Sequence, residues 1–237
     1  MEDYRTRREA AWAANQELNR RAAILYTFGN VSAADRDRGV FAIKPSGVPY
    51  EDLRPADMVV VDFEGRVVEG ALRPSSDTPT HAALYRAFPG IGGVGHTHST
   101  YAVAWAQAGR PIPILGTTHA DLLPDDVPCT AVMTEEAVAG DYEAETGALI
   151  VECFRGRSWE RVPMVLVARH GPFAWGHTAE EAVHHCVMLE ELAHTAWLTV
   201  ALDPGIGPLE PWLLRKHFER KHGPDAYYGQ EQGGHGG

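Results

Sequence analysis

The chain has 237 residues, of which 44% are hydrophobic and 22% are charged, and its formal net charge is −11. This composition is typical of a globular protein, and the length suits one domain of generous size. The acidic balance argues against nonspecific binding to nucleic acid or to anionic membranes, since both need a basic surface. Any anionic ligand must therefore be held by local groups.

The periodicity of apolar residues and the turn residues predict a mixture of helices and strands. In chain order we expect a helix over 5–25, strands and turns over 27–47, a hairpin over 58–70, a helix over 75–88, a glycine-rich strand ending at Ser99, two strands over 162–176, a long helix over 178–202 and a short helix over 211–223.

Local signals place several of these boundaries. Glu64 and Gly65 are expected at the hairpin turn, and Ser76 or Asp77 at the start of a helix that tolerates Pro79 in its first turn. Thr178 followed by Glu181 matches a capping box at the start of the long helix. We see no internal repeat or linker. The pattern predicts a largely antiparallel sheet with helices packed on it.

The three cysteines, Cys129, Cys153 and Cys186, are far apart and form no C-x-x-C motif. This pattern indicates a reducing compartment rather than a disulfide framework or a cysteine zinc site. The stretch MEDYRTRREAAWAANQEL carries charges throughout, unlike a signal peptide, and the apolar runs are too short to span a bilayer. We expect a cytoplasmic protein with no membrane partner.

Two histidines in the stretch GHTHST, His96 and His98, are one residue apart. Side chains alternate faces along a strand, so both imidazoles would point the same way and could share a metal ion. The alternative is a pair of polar residues at a strand end, each hydrogen-bonded to backbone or water. A metal site requires further ligands elsewhere in the chain.

His170 and Asp77 are the candidates for those ligands. His170 follows a very apolar stretch and precedes a Gly-Pro turn, and Asp77 stands at a helix start, where capping is its alternative role. His184, His185 and His194 fall within the long helix and are interpreted as structural or surface residues. Three histidines with one open position are the pattern of a catalytic zinc.

Three stretches combine small residues with exposed amides, hydroxyls or a cation, and each could hold an anion: FGNVS at 28–32, KPSG at 44–47 and PSSD at 74–77. Backbone amides at a helix N-terminus favour a phosphate, and Lys44 would add a point charge. The alternative for the KPSG stretch is an ordinary turn.

Seven segments together resemble the L-ribulose-5-phosphate 4-epimerases, a family of the class II sugar-phosphate aldolase superfamily. They are GNVSAADRDRGVFAIKPSG, DMVVV, RPSSDTPTH, GHTHS, GTTHAD, HGPFAWG and KHFERKHGPDAYYGQ. The resemblance implies an α/β/α sandwich with a central, mostly antiparallel sheet, formed by one domain over 1–230, with 231–237 as a flexible tail. It also implies a homotetramer with sites between subunits.

The resemblance also implies a set of site residues. One zinc ion per subunit, or another divalent metal, would be held by His96, His98 and His170, with Asp77 as a ligand or a nearby proton-handling group. The phosphate of the substrate would be bound by Asn30, Lys44, Ser46, Gly47, Ser75 and Ser76. Asp121 and Tyr228 would be the paired acid and base, supported by His217 and Glu143.

The implied reaction interconverts L-ribulose 5-phosphate and D-xylulose 5-phosphate at C4. The C4–H bond is not acidic, so a retro-aldol route is expected: a base takes the C4 hydroxyl proton, the C3–C4 bond breaks, and glycolaldehyde phosphate turns over and adds again. The metal would act as a Lewis acid, and two proton carriers would serve the two faces.

Two alternatives remain open at this stage. A class II aldolase would release its two fragments, and a non-catalytic domain would use the zinc for structure only. The pathway also stays open, because arabinose catabolism and ascorbate catabolism can both employ such an epimerase.

Overall fold

The computed structural model describes residues 3–21, 25–224 and 226–227. The helices in this part of the chain are α1 (Arg5–Arg20), α2 (Thr78–Ala87), α3 (Thr100–Ala108), α4 (Thr117–Ala120), α5 (Glu135–Ala139), α6 (Tyr142–Cys153), α7 (Ala179–Leu202) and α8 (Pro211–His222). The strands are β1 (Asn30–Asp35), β2 (Val40–Ile43), β3 (Val59–Asp62), β4 (Val67–Glu69), β5 (Gly93–His96), β6 (Met164–Leu166) and β7 (Pro172–Gly176).

The seven strands form one sheet in the order β4-β3-β2-β1-β5-β7-β6, and every pair within it is antiparallel. Helices cover both faces. On one face the Ser32 hydroxyl of β1 bonds to His81 and Tyr85 of α2. On the other face Gly95 of β5 lies against Cys186 of α7. The predicted antiparallel sheet within an α/β/α sandwich is confirmed.

The glycines of β5 allow α7 to lie directly on the sheet. A Cβ added at Gly93 would come within 2.5 Å of the Cα of Ala179 and the carbonyl oxygen of Thr178, and one at Gly95 would come within 2.6 Å of the Sγ of Cys186. Real Cβ atoms do not approach other heavy atoms so closely. The glycine-rich stretch before the two histidines is therefore required by helix packing.

The strand β5 ends at His96, three residues earlier than predicted. Its last pair joins His96 to Phe173 of β7, and the next residue of β7, Pro172, has no N–H group to continue the ladder. The Thr97 amide still donates to the Pro172 carbonyl at 3.3 Å, after which Ser99 takes the N-cap position of α3. The chain between them carries His98.

The first helix is also shorter than predicted. It ends at Arg20, and Leu25 already pairs with Phe28 in a short reversal. Leu25 therefore lies outside the helix, and positive φ angles of 52° at Tyr26 and 89° at Gly29 turn the chain. The reversal brings the chain directly into β1.

The predicted helix starts are confirmed, with differences in capping. The Thr178 hydroxyl accepts from the Glu181 amide at 3.1 Å, but the Glu181 carboxylate accepts from His177 instead of closing the capping box on Thr178. Asp77 occupies the N-cap position of α2 and Pro79 its first turn, but the Asp77 side chain makes no capping bond. Its carboxylate is directed elsewhere.

The cysteines Cys129, Cys153 and Cys186 are all free, as the sequence predicts. Within the described ranges, no helix has both the length and the apolar character needed to cross a membrane.

We expect Gly93→Ala to destabilise the fold, because the new methyl group would collide with the backbone of α7. Overpacking of this kind costs about 1–3 kcal/mol of unfolding free energy. Urea denaturation at fixed protein concentration would measure the loss. Gly207→Ala is the matched control, because a Cβ at Gly207 meets no atom within 4 Å. Equal stability of the two variants would contradict the close packing of α7 on β5.

Candidate functional site

Three imidazoles converge where β5 and β7 meet. The potential ligand atoms of His96, His98 and His170 all lie within 4.8 Å of one another, and the Nε2 atoms of His96 and His98 are 3.1 Å apart. Two nitrogens bound at about 2.0–2.1 Å to one tetrahedral zinc would be separated by a similar distance, roughly 3.3 Å. The His96–His98 pair already has this spacing, whereas separations of up to 4.8 Å within the cluster would have to shorten when the three side chains hold a divalent metal.

The hydrogen bonds and burial of these imidazoles suit metal binding. The Nδ1 of His96 lies 2.9 Å from the Pro172 carbonyl oxygen, which can only accept, so Nδ1 carries a proton and the neutral ring would present Nε2 to a metal ion. Burial, followed by the neighbouring imidazoles, lowers the pKa of His98 and of His170 to about 4. Neutral imidazole is the form that binds metal ions.

Phenylalanine rings pack against two of the three imidazoles. Phe173 stacks on His96 with ring centroids 4.1 Å apart and an interplanar angle of 16°. Phe28 lies against His98 at 5.5 Å. Sequence reasoning missed both rings, because a phenylalanine has no donor or acceptor and gives no signal of a site.

The Asp77 carboxylate lies beside this cluster. Its Oδ2 accepts from the Asn30 amide at 2.6 Å, and Asn30 is paired across the sheet with His96. Burial raises the pKa of Asp77, but the imidazoles of His96 and His81 and the Asn30 bond outweigh it and hold the pKa below its usual value. The carboxylate is thus ionised next to the imidazoles. Its role as a ligand stays a prediction.

The three candidate anion-binding stretches lie together in space. Pro45 and Pro74 form a bridge that pairs the KPSG and PSSD stretches, the Ser75 amide donates to the Lys44 carbonyl at 3.0 Å, and the Ser46 amide donates to the Arg73 carbonyl at 3.0 Å. The Asn30 amide, from the third stretch, donates to the Ser75 hydroxyl at 3.1 Å. We call the place where the three stretches meet the junction. Ser46, Gly47 and Ser76 are exposed around it.

Lys44 carries a buried charge within this junction. Only 2% of its surface is exposed, and its ammonium lies 4.8 Å from the ring centroid of Tyr50. No carboxylate in the described ranges forms an ion pair with it, and its one hydrogen bond goes to the neighbouring Pro45 carbonyl at 3.4 Å. Burial lowers the pKa of Lys44 to about 8. An anion at this amine would relieve the cost of burying it.

Asp121 belongs to a separate cluster, at the contact between α4 and α8. Its carboxylate accepts from Arg220 at 2.9 and 2.5 Å and from His217 Nδ1 at 2.9 Å, and Lys221 lies 3.9 Å away. Burial raises the pKa of Asp121, but these bonds hold it below the usual value. The structure thus joins two predicted site residues, Asp121 and His217, on elements other than those that carry the three imidazoles.

Glu143 lies in the first turn of α6, where its backbone carbonyl accepts from the Thr80 hydroxyl of α2 at 2.6 Å. The neighbouring Tyr142, which sequence reasoning missed, places its hydroxyl 3.2 Å from the Nδ1 of His170. Burial and Glu143 raise the pKa of Tyr142. Its position beside Glu143 in GDYEAETG was the one available signal. Tyr228 and the tail at 231–237 lie outside the described residues.

Comparison with known proteins agrees with this geometry. Residues 9–197 match the family described as Class II Aldolase and Adducin N-terminal domain. The chain is 53% identical over 224 residues to L-ribulose-5-phosphate 4-epimerase UlaF of Salmonella paratyphi A and to that of Salmonella typhi, and each match covers 94% of this chain and 98% of the relative.

Solved structures show the same fold. An L-fuculose 1-phosphate aldolase matches with a TM-score of 0.77 and 25% identity, covering 93% of this chain and 97% of the other. The L-fuculose-1-phosphate aldolase from Thermus thermophilus matches with a TM-score of 0.65 and 28% identity, covering 88% and 100%. The resemblance seen in the seven sequence segments is confirmed.

We expect the protein to bind one divalent metal ion per chain and His98→Ala to lose it, because two imidazoles hold an ion much less tightly than three. Elemental analysis after gel filtration in metal-free buffer would measure the content. His184→Ala is the matched control, because His184 is an exposed histidine of α7. Metal content equal to the parent in His98→Ala would place the ion elsewhere.

Proposed function

Because the chain belongs to the Class II Aldolase and Adducin N-terminal domain family, we propose that it is an L-ribulose-5-phosphate 4-epimerase. It would interconvert L-ribulose 5-phosphate and D-xylulose 5-phosphate at C4. The observation that carries this proposal is the identity with curated epimerases, which extends over nearly the whole length of both chains. The geometry of the three imidazoles and of the buried Lys44 supports it.

The proposed metal is zinc, one per subunit, held by His96, His98 and His170 with Asp77 beside it. The three neutral nitrogens fit this ion, and a fourth position would remain for substrate. When bound, zinc supplies Lewis-acid stabilisation for the negative charge that develops on the C1–C3 fragment as the C3–C4 bond breaks. Asp77, ionised and tied to Asn30, adds negative charge that favours a cation at the imidazoles.

The proposed role of the anion-binding junction is to keep the second fragment in the site. Glycolaldehyde phosphate must rotate its aldehyde without leaving the active site, and the phosphate is its one strongly charged group. The Lys44 ammonium would pair with it, while exposed hydroxyls and amides would donate hydrogen bonds to its remaining oxygens. The residues proposed to bind the phosphate are Asn30, Lys44, Ser46, Gly47, Ser75 and Ser76.

Asp121 and Tyr228 are the proposed acid and base, with His217 and Glu143 in supporting roles. Epimerisation needs a proton carrier on each face of the aldehyde, which suits two groups of different chemistry. A phenol has a reference pKa of about 10 and donates more readily than it accepts. Arg220 and His217 hold the Asp121 carboxylate in its ionised form, ready to accept a proton.

We further propose a homotetramer of cytoplasmic subunits, each a single domain over 1–230, with active sites shared between neighbours. The support is that different elements hold the two sets of groups: the imidazoles contact Pro172, Phe173 and Tyr142, whereas Asp121 is bound by side chains of α8. A site completed by a second subunit would bring both groups to one substrate. The enzyme would act in carbohydrate catabolism, on arabinose-derived sugars among others.

A coupled assay with L-ribulose 5-phosphate tests the activity directly. We expect D-xylulose 5-phosphate as the product, and its formation to stop after chelation and resume with zinc. A class II aldolase is the second candidate, because the chain shares its fold with the two L-fuculose 1-phosphate aldolases. Release of free glycolaldehyde phosphate would identify an aldolase, and turnover of neither kind would leave a non-catalytic metal-binding domain.

The buried Lys44, which has no carboxylate partner among the described residues, predicts a pH dependence of substrate binding. The phosphate prefers the charged amine, and the pKa of Lys44 in the free protein is about 8, so kcat/KM should fall as the pH rises above about 8. Lys44→Arg should remove this alkaline limb, since a guanidinium stays protonated there. Initial rates at limiting substrate, measured for the parent and for Lys44→Arg below and above pH 8, would reveal the alkaline fall in kcat/KM and its loss in the variant.

Loss of the amine should weaken binding at every pH. A charge-assisted hydrogen bond contributes about 1.5–3 kcal/mol, so Lys44→Met should raise KM on the order of 10- to 100-fold, and Ser76→Ala should raise it less. If KM for the phosphorylated sugar is unchanged in both variants, the phosphate binds elsewhere.

Mixed oligomers test the shared site. His96→Ala and Tyr228→Phe should each be nearly inactive alone, as should Asp121→Asn. Refolded in equal amounts, His96→Ala with either partner should regain activity at about one quarter of the sites, because random assembly pairs intact halves that often. Confirmed mixed oligomers with no activity above the separate variants would mean that each chain completes its own site.

A further inference from the structure

Tyr142 makes a polar contact with a candidate metal ligand that neither the family nor the site described so far requires. Its hydroxyl lies 3.2 Å from the Nδ1 of His170, and the two rings are 5.9 Å apart. We propose that Tyr142 is a positioning residue that holds His170 in the ring orientation and tautomer that bind the metal. This inference rests on the proposed metal site.

His170 needs such a partner more than its neighbour does. His96 lies in the sheet, stacks on Phe173 and is fixed by the Pro172 carbonyl. His170 lies in the turn between β6 and β7, after Arg169, whose φ is 66°. Its ring meets His96 and Phe173 only edge-on. The Tyr142 hydroxyl is therefore the polar contact that orients its Nδ1.

The contact also decides which nitrogen of His170 is available. A neutral imidazole carries one proton, on one of its two nitrogens. If Nδ1 donates to the Tyr142 oxygen, Nε2 is unprotonated and can bind a metal ion. If Tyr142 donates to Nδ1 instead, Nε2 carries the proton and is blocked. Metal binding at Nε2 thus requires the hydroxyl as an acceptor, in the way that outer hydrogen bonds commonly fix the tautomer of metal-bound histidines.

The position of Tyr142 is set by the packing of α6 on α2. Asp141 caps α6 by accepting from the Ala144 amide at 3.1 Å, and the Thr80 hydroxyl of α2 donates to the Glu143 carbonyl. Gly147 allows the two helices to approach, since a Cβ there would come within 2.6 Å of the Ala83 methyl group. The N-cap of α2 is Asp77, so one helix pair positions both groups beside the imidazoles.

The test compares metal affinity in Tyr142→Phe and in the parent, by competition with a chromophoric chelator for zinc and for cobalt. Phenylalanine keeps the ring and removes only the hydroxyl. Loss of an outer hydrogen bond of this kind typically weakens metal binding about 10- to 100-fold, which is the change expected here. Tyr101→Phe is the matched control, because the Tyr101 ring stacks on His194 of α7 at 3.9 Å. It should bind metal as the parent does.

A double mutant distinguishes the proposed orientation of His170 by Tyr142 from a general loss of order around the metal site. In a His170→Ala background the hydroxyl has no imidazole to orient. The weaker cobalt binding that remains there is measured by direct titration with cobalt in excess, and adding Tyr142→Phe should change it less than about twofold. A further loss of about tenfold there, or equal affinity of Tyr142→Phe and the parent, would overturn the role of Tyr142. A parent that binds no metal would instead overturn the metal site itself.

Discussion

The antiparallel register of β1, β5 and β7 determines where the site lies. It places Asn30, His96 and Phe173 side by side on one face of the sheet, in a row that ends at the turn carrying His170. A slip of one residue would turn His96 to the opposite face. That face has no room for an imidazole, because α7 lies against the β5 glycines. The packing of α7 and the cluster of imidazoles therefore depend on the same register.

Two opposite electrostatic environments lie near each other in this region. Imidazole nitrogens beside an ionised carboxylate favour a cation, whereas the buried Lys44 amine favours an anion. Asn30 lies between them, since its amide donates both to Asp77 and to the Ser75 hydroxyl. Local recognition by such groups would allow a chain of net charge −11 to hold the proposed phosphorylated sugar.

Local patterns predicted much of this site. The strand period predicted that His96 and His98 would face the same way, and the two imidazoles do converge, although β5 ends at His96 and His98 lies in the link to α3. His170 was singled out by its place before a Gly-Pro turn. Small residues around Lys44 indicated the candidate anion-binding stretches, which the structure brings together. The exact end of β5 was not visible, since it depends on Pro172, a residue 76 positions away from His96. For the same reason, no local signal indicated that Phe173 would stack on His96.

By itself the sequence determined the order and type of most elements, the histidines able to bind a metal and the family resemblance, because these depend on residue types and short spacings. The tertiary structure alone decided which groups meet. It paired Tyr142 with His170, Asn30 with Asp77, and Asp121 with α8. It also left Lys44 buried without a counterion among the residues that the structure describes. Contacts between residues that are 28 to 99 positions apart arise from the packing of helices and strands, which short sequence patterns do not predict.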